Sequence, residues 1–341
     1  MNDAFLSQWT YDLPPDRIAT HPVSPRDASR LLQLPLAGGE GIDRQFHQLP
    51  QLLQPGDLLV LNDTRVMPAR LRARRASGGA VELLVLEPGP GPVRALARPA
   101  RRLAAGERLD LSGGGSVEVL GREGEKVLLS FDRLPAEVMA EQGEMPLPPY
   151  LHREAEEGDR TRYQTVYAGP LGAAAAPTAG LHFTPSLLEA LAAREVSIAR
   201  VTLHVGIATF RPLREEDLER GRLHHERYEV SEETAGAIAA TRAGGGRVIA
   251  VGTTTARTLE ATTPPGASSP VPGQGSTDIF IRPPYDFRGL DGLITNFHLP
   301  GSSLLMMVAG LIGRERLLHT YQQAIARGYR FYSYGDAMLI L

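Results

Sequence analysis

Cysteine is absent from the 341 residues, which excludes a disulfide framework, an iron–sulfur cluster, a thiolate zinc site and a catalytic thiol. Such a chain fits a reducing compartment. Long apolar runs are missing too. The stretch 304–312, broken only by Gly310, is about half of a bilayer span and reads as a buried helix. Met1-Asn2-Asp3 carries no basic segment followed by an apolar one, so no secretory leader is expected. No charge sign dominates: 36 Lys+Arg against 39 Asp+Glu give a formal charge of -3. That balance argues against a basic tail or an acidic scaffold.

Several signatures of common enzymes are also lacking. No Gly-x-Gly-x-x-Gly follows a strand and opens a helix, so neither a dinucleotide fold nor an ordinary Rossmann methyltransferase is supported. The only lysine, Lys126, stands in Gly124-Glu125-Lys126-Val127, far from a phosphate-binding Gly-Lys-Ser/Thr. His225-Glu226 begins like a zinc-protease helix, but Glu229 stands where the second histidine belongs. Ser333, in Phe331-Tyr332-Ser333-Tyr334-Gly335, lacks the first glycine of a nucleophile elbow.

What is present falls into two textures. Residues 66–150 read as all-β: the runs 81–86, 93–97, 108–111, 116–120 and 127–131 are short and separated by Gly- or Pro-rich turns, the pattern of a small barrel or sandwich. After Tyr150 strands and helices alternate. Thr184-Pro185 and Ser231 start helices, 201–205 and 248–251 read as buried strands, and strands at 278–281 and 293–297 precede helices over 302–313 and 315–327. An apolar strand, 58–62, lies before the β-rich stretch. The simplest architecture is an α/β domain, 1–65 and 151–341, with a β domain, 66–150, inserted. The Pro/Gly/Ser stretch 262–275 is expected to be a loop.

Polar clusters stand where the expected strands end, the place where an α/β fold carries its binding loops. Asn62-Asp63-Thr64-Arg65 is either an Asx turn or, given its arginine, a binding loop. Thr178-Ala179-Gly180-Leu181-His182-Phe183-Thr184 puts a glycine, a histidine and backbone N–H groups at a helix N-terminus, which favours an anion or a carboxylate. Gly252-Thr253-Thr254-Thr255 repeats the device one strand later; plain capping accounts for one threonine better than for three. Gly275-Ser276-Thr277-Asp278-Ile279-Phe280 and Thr295-Asn296-Phe297-His298 follow, and His204 closes strand 201–205. A lone histidine is usually structural. Three at strand ends, beside Thr, Asn or Gly, point to one shared cleft.

Arginine is concentrated near the β domain. Arg65, Arg70, Arg72, Arg74 and Arg75 are followed by Arg94, Arg98, Arg101, Arg102 and Arg108. In extended chain Arg70, Arg72 and Arg74 share a side, forming either a solvated edge strand or a local basic face for phosphate.

These segments together closely resemble one family, the S-adenosylmethionine:tRNA ribosyltransferase-isomerases of queuosine biosynthesis. The matching stretches are Tyr11-Asp12-Leu13-Pro14, 56–70, 145–150, 162–168, 176–184, 206–212, 252–260, 275–281, 291–300 and 332–340, in the same order from end to end. The resemblance implies transfer of the ribosyl part of S-adenosylmethionine to 7-aminomethyl-7-deazaguanine at the wobble position of tRNA, giving epoxyqueuosine, adenine and methionine. It also implies a cytoplasmic monomer with an α/β main domain of unusual, barrel-like topology and an inserted small β-barrel. No metal and no cofactor are implied; S-adenosylmethionine is a co-substrate and the tRNA anticodon loop the partner.

Removing a proton from carbon beside a sulfonium takes a base shielded from water, and releasing adenine is eased by an acid. His182, His204 and His298 are the candidates, with Asp278 as alternative base or ring-orienting partner. Candidate substrate-binding residues are Asn62, Asp63, Arg65, Thr178, Gly180, Gly252, Ser276, Thr277, Thr295 and Asn296. Thr253 and Thr254 suit the methionine carboxylate, and Phe183 and Phe280 suit stacking on adenine or the modified base. Arg70, Arg72, Arg74, Arg75, Arg98, Arg101 and Arg102 would take RNA phosphates. Two other readings are an RNA methyltransferase using the same donor, which would yield S-adenosylhomocysteine, and a non-catalytic RNA-binding protein built on the β domain.

Overall fold

Four apolar strands that run parallel form the centre of the main sheet. A computed structural model describes residues 7–87, 91–101, 103–206, 213 and 215–341. The chain enters through β1 (Arg30–Leu34), β2 (Ile42–Gln45) and β3 (Leu58–Asn62), then β4 (Arg65–Val66). Six strands follow: β5 (Arg70–Arg75), β6 (Ala80–Glu87), β7 (Val93–Arg98), β8 (Arg108–Leu111), β9 (Ser116–Glu123) and β10 (Lys126–Phe131). After β11 (Leu171–Ala173) come β12 (Ser197–Leu203), β13 (Arg222–Val230), β14 (Val248–Val251), β15 (Gly273–Ile279), β16 (Gly292–Asn296) and β17 (Ala337–Ile340).

Nine of these strands make one sheet in the order β15-β13-β12-β3-β14-β16-β17-β1-β2. β12, β3, β14 and β16 are mutually parallel, whereas β17 runs parallel to β1 and antiparallel to β16. Both faces of the central strands are covered. Leu58, Val60, Ala250 and Leu293 belong to one core, and Leu59, Leu61, Ile249, Val251 and Ile294 to the other. That is why these strands read as continuous apolar runs instead of alternating ones. The sheet ends at two edges, β15 and β2, so the barrel-like topology expected of the main domain is corrected to an open mixed sheet.

Helix starts follow local chemistry. Thr184 Oγ1 accepts from Leu187 N at 3.2 Å with Pro185 in the first position, and Ser231 Oγ accepts from Thr234 N at 3.1 Å. The apolar stretch near 304–312 is the helix Ser303–Ile312, capped by Ser302 and mostly buried. Among the described residues no helix is long and apolar enough to cross a membrane.

β5 to β10 close into a six-stranded antiparallel barrel in the order β10-β7-β6-β5-β8-β9. Leu71, Ala73, Val81, Leu83, Val93, Ala95, Val117 and Val127 fill it, while Arg72 and Arg74 alternate outward. The compact unit that holds the barrel comprises Arg65–Gln164 and Leu171–Ala176, and the main unit comprises Met1–Thr64, Thr165–Pro170 and Pro177–Leu341. The barrel unit thus reaches past the 66–150 expected from composition. Two interactions within it carry the extension: Arg153 grips Asp159 at 2.7 and 2.8 Å, and β11 pairs with β4.

The expected loop 262–275 gives up its last residues to β15, which begins at Gly273 and ends at Ile279 instead of spanning 278–281. β15 is an edge strand of polar residues, so no apolar alternation marks it. Tyr228, opposite Gly275 on β13, lies where a Cβ at Gly275 would meet its hydroxyl at 2.6 Å.

Candidate active site

The carboxyl ends of β12, β3, β14 and β16 lie along one edge of the main sheet, the usual place for binding loops in a parallel arrangement. At the end of β16, Asn296 Nδ2 donates to His182 Nε2 at 3.1 Å, and Asn296 Oδ1 accepts from Thr178 Oγ1 at 3.0 Å. Because Nε2 accepts, the ring proton is on Nδ1, which donates to Ser29 Oγ at 2.7 Å. The imidazole stacks on Phe46 with centroids 4.9 Å apart. Burial pushes its pKa down to about 3, with Arg330 and Arg26 adding to the effect. His182 is therefore a neutral ring with both nitrogens engaged.

His298 is held by the preceding residue of β16: Thr295 Oγ1 lies 2.8 Å from its Nε2. Its backbone N–H donates to the Tyr321 hydroxyl at 3.1 Å, and its carbonyl accepts from Tyr11. Burial takes this imidazole, too, down to about 3. Since neighbouring residues of a strand face opposite ways, Asn296 and Thr295 hold the two rings on opposite faces of one strand end.

His204 lies apart from that pair. Its Nδ1 is 2.8 Å from Thr64 Oγ1, and its pKa is lowered by half-burial and by Arg227. β12 is three strands from β16 in the sheet order, about 14 Å at the usual strand spacing. Asp278 needs a correction. On the edge strand β15, its carboxylate lies 3.5 Å from Arg222 and 3.8 Å from His225. Five strand positions separate it from β16, so it orients neither His182 nor His298.

The binding candidates divide in the same way. The Asn62 amide laces β3 to β12 and closes the turn after β3: Nδ2 donates to Leu203 O at 3.0 Å, and Oδ1 accepts from Leu203 N at 3.0 Å and Thr64 N at 3.1 Å. Asp63 accepts from Thr202 Oγ1 at 2.7 Å, and burial raises its pKa against that bond. Arg65 is exposed and belongs to the barrel unit. A Cβ at Gly180 would lie 2.0 Å from the Tyr167 hydroxyl, which explains the glycine by close approach. Phe183 is wholly buried, edge-on to Phe46 at 5.1 Å. It is a core residue, and its expected stacking on substrate is corrected accordingly. Phe280 is only partly buried, with Arg282 5.3 Å above its ring. Gly252, at φ +90°, opens the helix Thr253–Thr262, where Thr255 Oγ1 donates to Val251 O at 2.7 Å. Thr254 is buried beside it with no partner for its hydroxyl among the described residues. Ser276 is exposed, and Thr277 Oγ1 accepts from Ile279 N at 3.2 Å.

In the barrel unit, two of the seven arginines are tied into carboxylate forks. Arg72 donates to Glu144 at 2.7 and 3.1 Å, and Arg75 Nη2 to Glu107 at 3.0 Å. Arg70 donates to Leu147 O at 3.2 Å and lies 3.8 Å from Glu82. Arg74, Arg98 and Arg101 are exposed. Arg102 lies outside the described residues.

Several residues with a place in this region went unnoticed in the sequence. Ser29 Oγ accepts the Nδ1 proton of His182. Asp336, buried, accepts from the backbone N–H groups of Arg30 at 2.9 Å and Arg330 at 2.8 Å, and burial raises its pKa. Glu226, on β13, pairs with Arg257 in the interior. Burial pushes Glu226 up, but Arg257, His224 and the Gly206 N–H outweigh it and hold the carboxyl down at about 2. The alternation His224, Glu226, Tyr228, Val230 was the available signal for a strand with an inward carboxylate. No group of three or more His, Cys, Asp or Glu side chains among the described residues is arranged to hold a metal.

Comparison with known proteins shows the family. The family model described as "Queuosine biosynthesis protein" matches residues 6–340. The S-adenosylmethionine:tRNA ribosyltransferase-isomerase of Xylella fastidiosa (strain M23) is 51% identical over 338 residues, covering 98% of this chain and 96% of its own. The protein of that name from Anaeromyxobacter dehalogenans is 50% identical, with coverage of 98% and 99%. The crystal structure of an S-adenosylmethionine tRNA ribosyltransferase from Thermotoga maritima aligns with a TM-score of 0.57 at 38% identity, covering 98% of this chain and 100% of that one. With a family match over nearly its whole length, the chain belongs to the queuosine biosynthesis proteins.

Proposed function

We propose that the protein is an S-adenosylmethionine:tRNA ribosyltransferase-isomerase. It transfers and isomerises the ribosyl moiety of S-adenosylmethionine onto 7-aminomethyl-7-deazaguanine at tRNA wobble position 34. Epoxyqueuosine-tRNA, adenine and methionine leave. It acts as a cytoplasmic monomer and takes the anticodon loop as partner.

The observation that carries the reading is the neutral imidazole network at the end of β16, set among Thr, Asn and Ser hydroxyls and amides in a chain whose relatives bear that name. A base with its pKa down near 3 takes protons poorly at neutral pH. His182 therefore serves as a fixed group that holds Ser29 and Asn296 in place, and His298 as a neutral ring anchored to Thr295, rather than as proton carriers. His204 is only half-buried and bonds Thr64 through Nδ1, leaving Nε2 for proton transfer. Arg74, Arg98 and Arg101 supply phosphate contacts on the barrel, positioning the RNA without reading it.

Incubation with S-adenosylmethionine and tRNA carrying the aminomethyl-deazaguanine tests the proposal. Equal yields of adenine and methionine per modified tRNA are expected. S-adenosylhomocysteine would mean methylation, and no turnover would leave only RNA binding. Replacing His204 by Gln should cost kcat more than the same change at His298.

A further inference from the structure

One buried charge has no part in the chemistry above. Arg257, in the helix Thr253–Thr262, is 3% exposed. Its Nη1 is bonded to Glu226, but Nε and Nη2 are buried without any partner among the described residues. Glu226 has little left to offer, because Oε1 accepts from Gly206 N at 3.1 Å and lies 3.3 Å from His224 Nε2. Orphaned donors on a buried cation are costly and uncommon, and a bound ligand is a standard reason for them.

Their position says what that ligand would be. Helical side chains lean toward the N-terminus of their helix, so Arg257 lies over Thr253 and Thr254, four and three residues before it. Thr254 is itself a second orphan, its hydroxyl buried and unbonded. Gly252 precedes the helix at φ +90° and provides no side-chain cap, so the first backbone N–H groups of the helix receive no side-chain acceptor among the described residues. Three kinds of unsatisfied donor thus surround one helix end, where the dipole favours negative charge.

We propose that Arg257, Thr254 and this uncapped helix end form the subsite for the carboxylate of the amino-acid part of the sulfonium donor. This rests on the reading under Proposed function and adds a residue to it. A guanidinium presents its N–H groups as a planar fork that matches two carboxylate oxygens. Glu226 already answers the charge of Arg257, so the subsite offers many donors and little net charge. That balance suits a singly charged planar group better than a dianionic phosphate, and the burial suits a small end group better than a polynucleotide backbone.

Dissociation constants for S-adenosylmethionine and for its decarboxylated analogue test the inference, measured calorimetrically on the full chain. The ratio of the two reports recognition of the carboxylate alone. In Arg257→Gln combined with Glu226→Gln, which leaves no unpaired buried charge, S-adenosylmethionine should weaken roughly ten- to hundredfold, with the analogue unchanged. Thr254→Val leaves the buried ion pair intact and should shift the ratio the same way by a smaller factor, so it decides the matter if the double variant does not fold. A ratio equal to wild type in Thr254→Val and in a folded double variant overturns the inference. Wild-type protein that neither binds S-adenosylmethionine nor releases adenine overturns the functional reading with it, whereas normal wild-type turnover with an unaltered ratio overturns the subsite alone.

Discussion

Arg72 and Arg257 each hold a glutamate, one on the outside of the barrel and the other inside the main sheet. The Arg72 side chain is 45% exposed and meets Glu144 as a fork in water; Arg257 and Glu226 are 3% and 1% exposed. The outer pair exchanges one set of good hydrogen bonds for another, so it adds little. The inner pair has given up its water entirely, and each member is held in place by the penalty of leaving the other alone. One residue pairing thus does two different jobs: it decorates a barrel whose apolar staves already fix its shape, and it pins β13 to a helix whose amino end faces the candidate site.

The largest effect expected from this contrast comes from Glu226→Ala, which strands the buried guanidinium. Urea unfolding should show a loss of about 3–5 kcal/mol; a loss below that of the barrel pairs would break the contrast. Next comes Asn296→Ala, which removes one partner each from His182 and Thr178. It should cost about 1–3 kcal/mol and lower adenine release, read from the same unfolding curves and from product chromatography.

A pH series sharpens the comparison further. His182 and His298 are pushed down to about 3, so the unfolded chain takes up protons that the folded one refuses. Their contribution is complete above about pH 6.5 and is lost as pH falls from there toward 3, at about 1.4 kcal/mol per pH unit for each ring. The slope of stability against pH in that window should shrink in His182→Gln. Smallest of all, Arg75→Ala and Arg72→Ala should each cost about 0.2–1 kcal/mol, whatever they do to tRNA affinity.

The two units also differ in how openly the sequence displays them. Barrel strands alternate between inward Val, Leu or Ala and outward Arg or Glu, with glycine turns between them, so the run 81–86 anticipates β6 and the run 93–97 anticipates β7. The central strands of the main sheet, such as 58–62 and 248–251, are visible as apolar blocks for the opposite reason: they have no outward face. β15 is anticipated only at its last residues, because an edge strand of Gly, Gln, Ser and Thr carries no periodic signal. The site follows the same logic. His182, Asn296 and Thr178 stand in motifs at strand ends and do come together. Phe183 looks like a stacking platform until its neighbours, Phe46 and Tyr167, are known. Asp278 looks like a partner for His182 or His298 until the strand order separates them. Proximity across strands is set by pairing register, which local sequence does not contain.

Among the described strands β17 lies between β16 and β1, and it alone joins β1 and β2 to the rest of the sheet. β1 and β2 must therefore wait for β17, which follows β16 in the chain, before they can be zipped into place. By then all of β5 to β10 has long emerged, so the barrel has every residue it needs to close while the larger sheet is still missing its keystone.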